Sequence, residues 1–227
     1  MKIGILQTGT TPEAMRAHFG EYGDLFVNLL ADQGLTFQIW DVEQMVFPSG
    51  PHDAEGWLIT GSRHGAYEDH PFIPPLEDLI RAIYAEGVPL VGICFGHQII
   101  AQALGGKVEK FAGGWSVGPT DYDFAGEPIR LNAWHQDQVT VRPAEAEVCG
   151  RSEHCENAAL VYGNRAYTVQ AHPEHSREFF VNLAESRGRG LVPDTLLEAA
   201  LARKDLSLDN QKLARRIAGF LREGVIA

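Results

Sequence analysis

Between residues 2 and 104 the chain alternates short apolar runs with stretches in which apolar residues recur every three or four positions. The apolar runs, at residues 2–8, 37–42, 56–60 and 89–93, predict buried strands. The periodic stretches, at residues 22–33, 76–85 and 97–104, predict helices, and glycine follows each of them closely. Strands that alternate with helices in this way are typical of a parallel sheet.

The pattern changes after residue 107, where short runs are separated by turn residues such as Gly113-Gly114, Gly118-Pro119 and Gly163-Asn164. This spacing predicts antiparallel strands and hairpins. The last run, residues 167–171, leads directly into His172. Helical periodicity then covers residues 177–186, 195–202 and 210–222, with a loop over residues 187–190. The sequence therefore predicts an α/β protein with a mostly parallel sheet, a small antiparallel portion and C-terminal helices.

Composition restricts the classes of function. The chain has 227 residues, of which 44% are hydrophobic and 22% charged, as in a soluble protein of one large domain or one domain with an appendage. No apolar run approaches the ~20 residues of a membrane span, and the N-terminus reads as a strand rather than a signal peptide, so we expect a cytoplasmic protein. The 3 cysteines, an odd number, argue against a disulfide framework. The 19 basic and 30 acidic residues give a net charge of −11, which argues against nucleic-acid binding.

Cys94 lies where a predicted strand passes into a predicted helix, between Gly92 and Gly96. This layout is the cysteine version of a nucleophile elbow, in which a sharp turn exposes the nucleophile and flanking glycines let neighbouring chains approach. A helix that begins just after Cys94 directs backbone N–H groups at the sulfur and favours the thiolate. The alternative is a buried cysteine that acts as a small apolar residue.

Two other segments follow predicted strands. The Gly61-Ser62 turn comes after the third run, and in parallel sheets the carboxyl ends of strands share one edge, so this turn and Cys94 are expected to face one pocket. His172 and Glu174 follow the last run two positions apart, which in an extended chain places both side chains on one face. A cysteine nucleophile requires such a base and such an orienting group. Taken alone, the pair also fits a surface histidine beside a surface glutamate.

Together these segments resemble the class I, or triad, glutamine amidotransferases in both order and spacing, over roughly residues 2–182. The segments are Ile59-Thr60-Gly61-Ser62, Gly92-Ile93-Cys94-Phe95-Gly96-His97-Gln98 and His172-Pro173-Glu174. Gly113-Gly114-Trp115-Ser116 and Trp134-His135-Gln136-Asp137 narrow the resemblance to the branch of the GMP synthase amidotransferase domain and the γ-glutamyl peptidases. The resemblance implies a flavodoxin-like three-layer sandwich over residues 1–183, with residues 184–227 as a C-terminal helical extension.

The resemblance also implies roles for individual residues. Cys94 would attack a γ-glutamyl amide, His172 would move protons, and Glu174 would orient His172. Backbone N–H groups of Phe95, Gly61 and Ser62 would form the oxyanion hole. The amino-acid end of the substrate would be held by Gln98 and by the backbone around Trp115 and Ser116, with His135 and Asp137 near the site or in structural hydrogen bonds. No cofactor is implied.

Three functions stay open at this point. The chain could be a glutaminase that passes ammonia to a separate synthetase subunit, since it lacks an ATP-binding pattern such as a P-loop. It could be a stand-alone γ-glutamyl hydrolase or peptidase that acts on small γ-glutamyl compounds, or a non-catalytic binding or regulatory member of the fold. The C-terminal helices could cover the site, pair two subunits as a homo-oligomer, or dock a partner.

Several other polar residues have an ordinary structural interpretation. His97 is expected to pack or cap the start of its helix. Cys149, His154 and Cys155 do not have the spacing of a zinc site, so no metal is predicted. Arg63 and His64 could contact a substrate carboxylate or belong to a solvated loop. The segment Glu68-Asp69-His70 is expected to be a solvated turn, and Arg215-Arg216 a charged outer face of the last helix.

Overall fold

A seven-stranded sheet is the centre of the protein in the computed structural model, which describes residues 1–226. The strands are β1 (Lys2–Gln7), β2 (Thr36–Asp41), β3 (Gly56–Ile59), β4 (Leu90–Ile93), β5 (Lys107–Lys110), β6 (Ser116–Phe124), β7 (Glu127–His135), β8 (Asp137–Val141), β9 (Glu147–Gly150), β10 (Ala159–Tyr162) and β11 (Ala166–Val169). The α-helices are α1 (Glu13–Phe19), α2 (Tyr22–Leu29), α3 (Ile73–Glu86), α4 (Phe95–Ala103), α5 (Arg177–Leu183), α6 (Asp194–Ala202) and α7 (Asn210–Glu223).

The order of strands across the main sheet is β2-β1-β3-β4-β11-β10-β9. The first five are parallel, and β10 and β9 are antiparallel to their neighbours. Strand β4 lies between β3 and β11, with Gly92 opposite Ile59 and Ile93 opposite Val169. In this register the segments that follow β3, β4 and β11 leave the sheet at one edge, where parallel α/β sheets carry their sites.

Helices cover both faces of the sheet and make a three-layer sandwich. On one face, α3 and α4 pack on the strands through a cluster that includes Trp57, Ile59, Ile80, Leu90 and Ile99. On the other face, α2 and α7 pack through a cluster that includes Ile3, Phe26, Val91, Ile217 and Phe220. The predicted flavodoxin-like α/β fold is confirmed. Helix α7 contributes several fully buried side chains to the second cluster, because its apolar residues recur on a single face.

Two small antiparallel sheets accompany the main sheet, as the turn-rich pattern predicted. One pairs β5 with β8, and the other is the long β6–β7 hairpin, which runs from Ser116 opposite His135 to Phe124 opposite Glu127. The hairpin is joined to the segment after β11 because the N–H of His172 donates to the carbonyl of Asn132 at 2.9 Å. The hairpin is therefore anchored beside the edge that carries Cys94.

Several boundaries differ from the predicted ones. Helix α2 ends at Leu29 and is followed by a separate 3₁₀ turn over Ala31–Gln33. Helix α3 begins at Ile73 with prolines in its first turn, where a missing N–H removes no helical hydrogen bond. Helix α1 was not predicted, because it buries only Met15. The predicted loop at residues 187–190 begins inside a π-helical turn, Ala184–Gly188, whose Gly188 is buried.

Among residues 1–226, no helix has both the length and the apolar character needed to cross a membrane.

Candidate active site

Cys94 occupies a strained turn between β4 and α4. Its backbone angles are φ 54° and ψ −105°, in a region that L-residues rarely adopt. Hydrogen bonds hold it there: its N–H donates to the carbonyl of Val169 at 2.8 Å, and its carbonyl accepts from Gln98 N–H at 3.0 Å. The side chain is 6% exposed. The nucleophile-elbow geometry predicted from the bracketing glycines is therefore present.

The two glycines beside Cys94 are required by close backbone contacts. A Cβ on Gly92 would overlap the carbonyl of Gly96, and a Cβ on Gly96 would overlap the carbonyl of Ile59. Gly96 also donates its N–H to the carbonyl of Thr60 at 3.1 Å. The start of α4 thus lies directly on the end of β3, which brings the turn after β3 beside Cys94.

His172 and Glu174 form a buried pair next to the elbow. Nδ1 of His172 donates to Oε1 of Glu174 at 2.7 Å, and the residues are 5% and 9% exposed. Burial lowers the pKa of His172, but the charges of Cys94 and Glu174 and the hydrogen bond to Glu174 raise it more, so the pKa lies well above its usual value. Among the described residues Nε2 has no hydrogen-bond partner, so Cys94 influences the ring as a nearby charge. A thiol, an imidazole and a carboxylate in this order suit nucleophilic catalysis.

Gly61 lies against both reactive side chains. A Cβ there would be 3.1 Å from Cε1 of His172 and 3.7 Å from Cβ of Cys94. Thr8 holds the turn, since its Oγ1 donates to the carbonyls of Thr60 at 3.0 Å and Gly61 at 3.1 Å. Phe95 is the first residue of α4, so its N–H has no acceptor within the helix. The backbone on both sides of Cys94 is therefore positioned at the same edge.

A cavity of about 350 Å³ opens above these residues. It is lined by the residues of the elbow, the turn after β3 and the buried pair, namely Cys94, Gly61, Ser62, His172 and Glu174. Aromatic and charged side chains from distant segments complete the lining. The ionisable side chains of that lining include Arg63, His64, Glu68, Lys110, His135, Asp137 and Arg187. A cavity with charges of both signs suits a small zwitterionic ligand.

The model of the family "Glutamine amidotransferase class-I" matches residues 30–180 of the chain. The chain belongs to the class I glutamine amidotransferases. The family resemblance predicted from the motifs is confirmed. γ-Glutamyl peptidase 2 of Arabidopsis thaliana is 27% identical, covering 97% of this chain and 96% of its own. A GMP synthase of Pyrobaculum aerophilum is 31% identical, covering 68% of this chain but 31% of its own.

A solved structure of a glutamine amidotransferase from Thermotoga maritima superposes on this amidotransferase with a TM-score of 0.75. The superposition covers 98% of both chains at 22% sequence identity. This likeness shows that the two proteins share the fold.

In this amidotransferase Gln98, Trp115 and His135, which the resemblance implies as substrate-binding residues, all line the cavity. Ser116 is buried beside it, opposite His135 in the β6–β7 hairpin, and is not among the lining residues described. Gln98 uses its Nε2 within the protein, donating to the carbonyl of Asp137 at 2.9 Å and to Oε1 of Gln170 at 3.1 Å. Its side chain is therefore held in one position at the wall.

His135 is buried, and its Nδ1 lies 3.2 Å from the carbonyl of Asp137. Burial, followed by the charge of His172, lowers the pKa of His135 to about 3. At neutral pH the ring is uncharged, and among the described residues its Nε2 has no hydrogen-bond partner. Such an unpaired buried nitrogen in a cavity wall is available to a ligand.

The remaining predicted residues take structural positions. His97 is fully buried, with Nδ1 2.8 Å from Oγ1 of Thr168. Burial raises the pKa of both Cys149 and Cys155 to about 12, so these thiols are unreactive. Nε2 of His154 lies 3.1 Å from the carbonyl of Gly114. Within residues 1–226, Cys149, His154 and Cys155 do not form a group that could hold a metal ion.

Several residues that line the cavity were missed by the sequence analysis, among them Tyr22, Arg187 and His175. Tyr22 at the start of α2 and Arg187 in the π-helical turn both line the cavity, yet no motif marks either. His175 also lines it and is stacked on His172. Its position directly after His172-Pro173-Glu174 was the available signal. Tyr22 and Arg187 reach the site through packing between distant segments.

Proposed function

We propose that this amidotransferase hydrolyses a γ-glutamyl amide bond through a thioester on Cys94. The placement of His172 is the observation that supports this proposal most directly. His172 is hydrogen-bonded to Glu174, lies within the electrostatic influence of Cys94, and lines the cavity together with both residues. Membership of the class I family supports the same chemistry.

In the first half-reaction the Cys94 thiolate attacks the γ-carbonyl carbon of the substrate. The oxyanion forms within reach of the N–H groups of Phe95, Gly61 and Ser62, which are donors of the kind whose removal costs about 10²–10³ in rate. The protonated His172 donates its proton to the departing nitrogen as the C–N bond breaks. Ammonia or an amine leaves, and the γ-glutamyl thioester remains on Cys94.

In the second half-reaction a water molecule replaces the amine. Neutral His172 takes a proton from the water, which attacks the thioester carbonyl, and the C–S bond breaks to release glutamate and regenerate the thiolate–imidazolium pair. Glu174 keeps Nδ1 of His172 protonated and stabilises the imidazolium. Gln98, Trp115, Ser116 and His135 are proposed to hold the amino-acid end of the γ-glutamyl group.

Two substrates fit this chemistry. The similarity to GMP synthases supports glutamine, with ammonia passed to a separate synthetase subunit. The similarity to γ-glutamyl peptidase 2 supports a stand-alone hydrolase of small γ-glutamyl compounds. We favour this second function because the match covers 97% of this chain and 96% of the peptidase. The match to the GMP synthase, in contrast, covers only 31% of that protein.

A substrate panel tests the proposal. Wild type and Cys94→Ala are assayed side by side on glutamine, γ-glutamyl amines and γ-glutamyl peptides, with release of glutamate as the readout. Turnover of γ-glutamyl peptides above glutamine, lost in Cys94→Ala, supports the stand-alone hydrolase. Slow glutamine turnover that rises when a synthetase is added supports the glutaminase.

Covalent labelling separates both enzymes from a non-catalytic protein. A glutamine analogue that carries an electrophile at the γ position should label wild type at Cys94, as read by mass spectrometry of the peptide, and should leave Cys94→Ala unmodified. A folded wild type that is neither labelled nor active on any member of the panel would make the chain a non-catalytic member of the fold.

A further inference from the structure

The loop between β3 and α3 gathers three side chains of the kinds that bind metals, and two of them, His64 and Glu68, line the cavity. One ligand atom each from His64, Glu68 and His70 lies within 4.8 Å of the other two. Oε2 of Glu68 is 2.7 Å from Nε2 of His70 and 3.8 Å from Nδ1 of His64. Two ligands of a tetrahedral zinc ion, each about 2.0–2.2 Å from it, lie about 3.3–3.5 Å apart. These two separations fall on either side of this value, and the ligand atoms of the two histidines lie within 4.8 Å of each other. Side-chain rotations would bring the three atoms to a common ion.

The other nitrogen of His64 has the partner that metal-bound histidines use. Nε2 of His64 lies 3.0 Å from Oε1 of Glu43, whose side chain is 7% exposed. Nε of Arg63 also lies 3.4 Å from this nitrogen. The shorter contact with the buried carboxylate favours the tautomer in which Nε2 carries the proton and Nδ1 the lone pair, which is the arrangement that orients a histidine toward a metal. Thr10 and Arg63 hold Glu43 in turn, at 2.7 Å and 3.6 Å. The contact between Glu43 and His64 supports a metal site independently of the positions of the three ligands.

The loop itself is already ordered for binding. Backbone hydrogen bonds from Glu68 to Gly65, from His70 to Glu68 and from Ile73 to His70 fix three successive turns. The two imidazoles lie with centroids 4.0 Å apart, and both contact the ring of Phe72, which is 3% exposed. Ordered ligands lose little conformational freedom when an ion binds, so the site needs little reorganisation.

We propose that His64, Glu68 and His70 bind a divalent transition-metal ion, with zinc as the best match. Imidazole and carboxylate ligands are those that Zn²⁺ combines, and three protein ligands leave a fourth position for water or a ligand group. Because His64 and Glu68 line the cavity, the ion would lie beside it. Neither the predicted solvated turn at residues 68–70 nor the γ-glutamyl chemistry assigns a metal to this loop.

A bound ion would also connect the loop to the elbow. The N–H of His64 donates to Oγ of Ser62 at 3.2 Å, and Phe72 contacts Phe95 with ring centroids 6.0 Å apart. Ordering of the loop would therefore stabilise the turn at Ser62 and the residue after Cys94. The proposal does not depend on which substrate the cavity takes.

Metal binding is measured with Zn²⁺ alone by calorimetry, and with Co²⁺ alone by its visible absorption. The full-length chain is used in a Cys94→Ala background, because a catalytic thiol is itself a metal ligand. His172, Glu174 and His175 form a second group of side chains that could hold a metal ion. The variant His172→Ala in the same background therefore shows whether binding occurs at that second group. His52→Ala serves as the matched control, since His52 is an exposed histidine beside Glu86.

We expect one equivalent of Zn²⁺ per chain and a Co²⁺ visible band typical of a four-coordinate ion. Both should be lost in His64→Ala and His70→Ala and retained in His52→Ala and His172→Ala. Glu43→Gln should weaken the affinity by about 10–100-fold, as other changes beside metal-bound histidines do. Binding that is absent, that persists in His70→Ala with unchanged affinity, or that disappears in His172→Ala would overturn the proposal. Circular dichroism checks that each variant is folded.

Discussion

The imidazole of His175 lies flat on that of His172, with ring centroids 4.0 Å apart and ring planes 3° apart. Nε2 of His175 is 3.6 Å from Oε1 of Glu174, the atom that accepts from His172. Burial and then the charge of His172 lower the pKa of His175 well below its usual value. The neutral imidazole of His175 therefore packs against the imidazole of His172, which we propose moves protons. Phe179 packs at 4.4 Å against the ring of His175 and completes the stack.

This stack predicts that His175 positions His172 through its ring and not through a proton. His175→Phe keeps an aromatic surface and should retain most of kcat/KM, whereas His175→Ala should lose about three- to tenfold, since an aromatic pair contributes about 0.5–1.5 kcal/mol. The pH profile of kcat/KM should keep its shape in His175→Phe. Equal losses in the two variants, or a new pH dependence in His175→Phe, would show that the nitrogens of His175 matter instead.

The buried histidines predict that stability falls on the acid side of neutrality. Burial lowers the pKa of His97 to about 3, against ~6.5 in an unfolded chain. Between these pH values the unfolded state binds a proton that the folded state does not, so the free energy of unfolding decreases as pH falls below ~6.5. His97 alone should account for about 2 kcal/mol between pH 7 and pH 5.

Urea unfolding at both pH values measures this effect. His97→Asn leaves an amide near Thr168 and removes the titration, so its loss of stability between pH 7 and pH 5 should be smaller than that of wild type by about 2 kcal/mol. His52→Asn, at an exposed position, should keep the pH dependence of wild type. The same dependence in His97→Asn and wild type would contradict the prediction.

The close contact between Gly61 and His172 predicts that a larger residue at position 61 lowers activity and leaves the fold intact. A methyl group there would lie 3.1 Å from Cε1 of His172, so Gly61→Ala should displace the ring or the turn by a fraction of an ångström. It should lower kcat/KM, by less than the about 10²-fold that a misplacement of about 1 Å costs. The melting temperature should change little. Gly50→Ala is the matched control, because a methyl group at Gly50 meets nothing within 4 Å in an extended backbone. Full activity in Gly61→Ala would mean that the turn can move freely.

The backbone of Cys94 predicts a conflict between stability and activity. At φ 54° and ψ −105° a side chain is strained by about 1–3 kcal/mol, and only glycine adopts such angles without penalty. Cys94→Gly should therefore be about 1 kcal/mol more stable than Cys94→Ala, although both are inactive. Chemical denaturation compares them. An alanine variant as stable as the glycine variant would indicate that the turn relaxes once the sulfur is gone.

Much of the fold could be predicted because its signals are local. Each strand that carries the site is an apolar run whose burial requires no knowledge of its neighbours, and the glycines beside Cys94 mark a turn that few other residues permit. The pairing of His172 with Glu174 follows from a spacing of two in an extended segment. Helix α1 and the first turn of α3 were not predicted, because a short helix with one buried side chain and a helix that starts with prolines have weak periodic signals.

The sequence by itself determined the α/β class, the edge of the sheet at which we propose the chemistry, and Cys94, His172 and Glu174 as the candidate catalytic residues. Tertiary structure decided what surrounds them: the stacking of His175, the approach of Tyr22 and Arg187, and the contact between His64 and Glu43. The physical reason is that motifs and periodicity describe neighbours along the chain. Contacts across the cavity depend on how separate helices, hairpins and loops pack, and no short stretch of sequence contains that information.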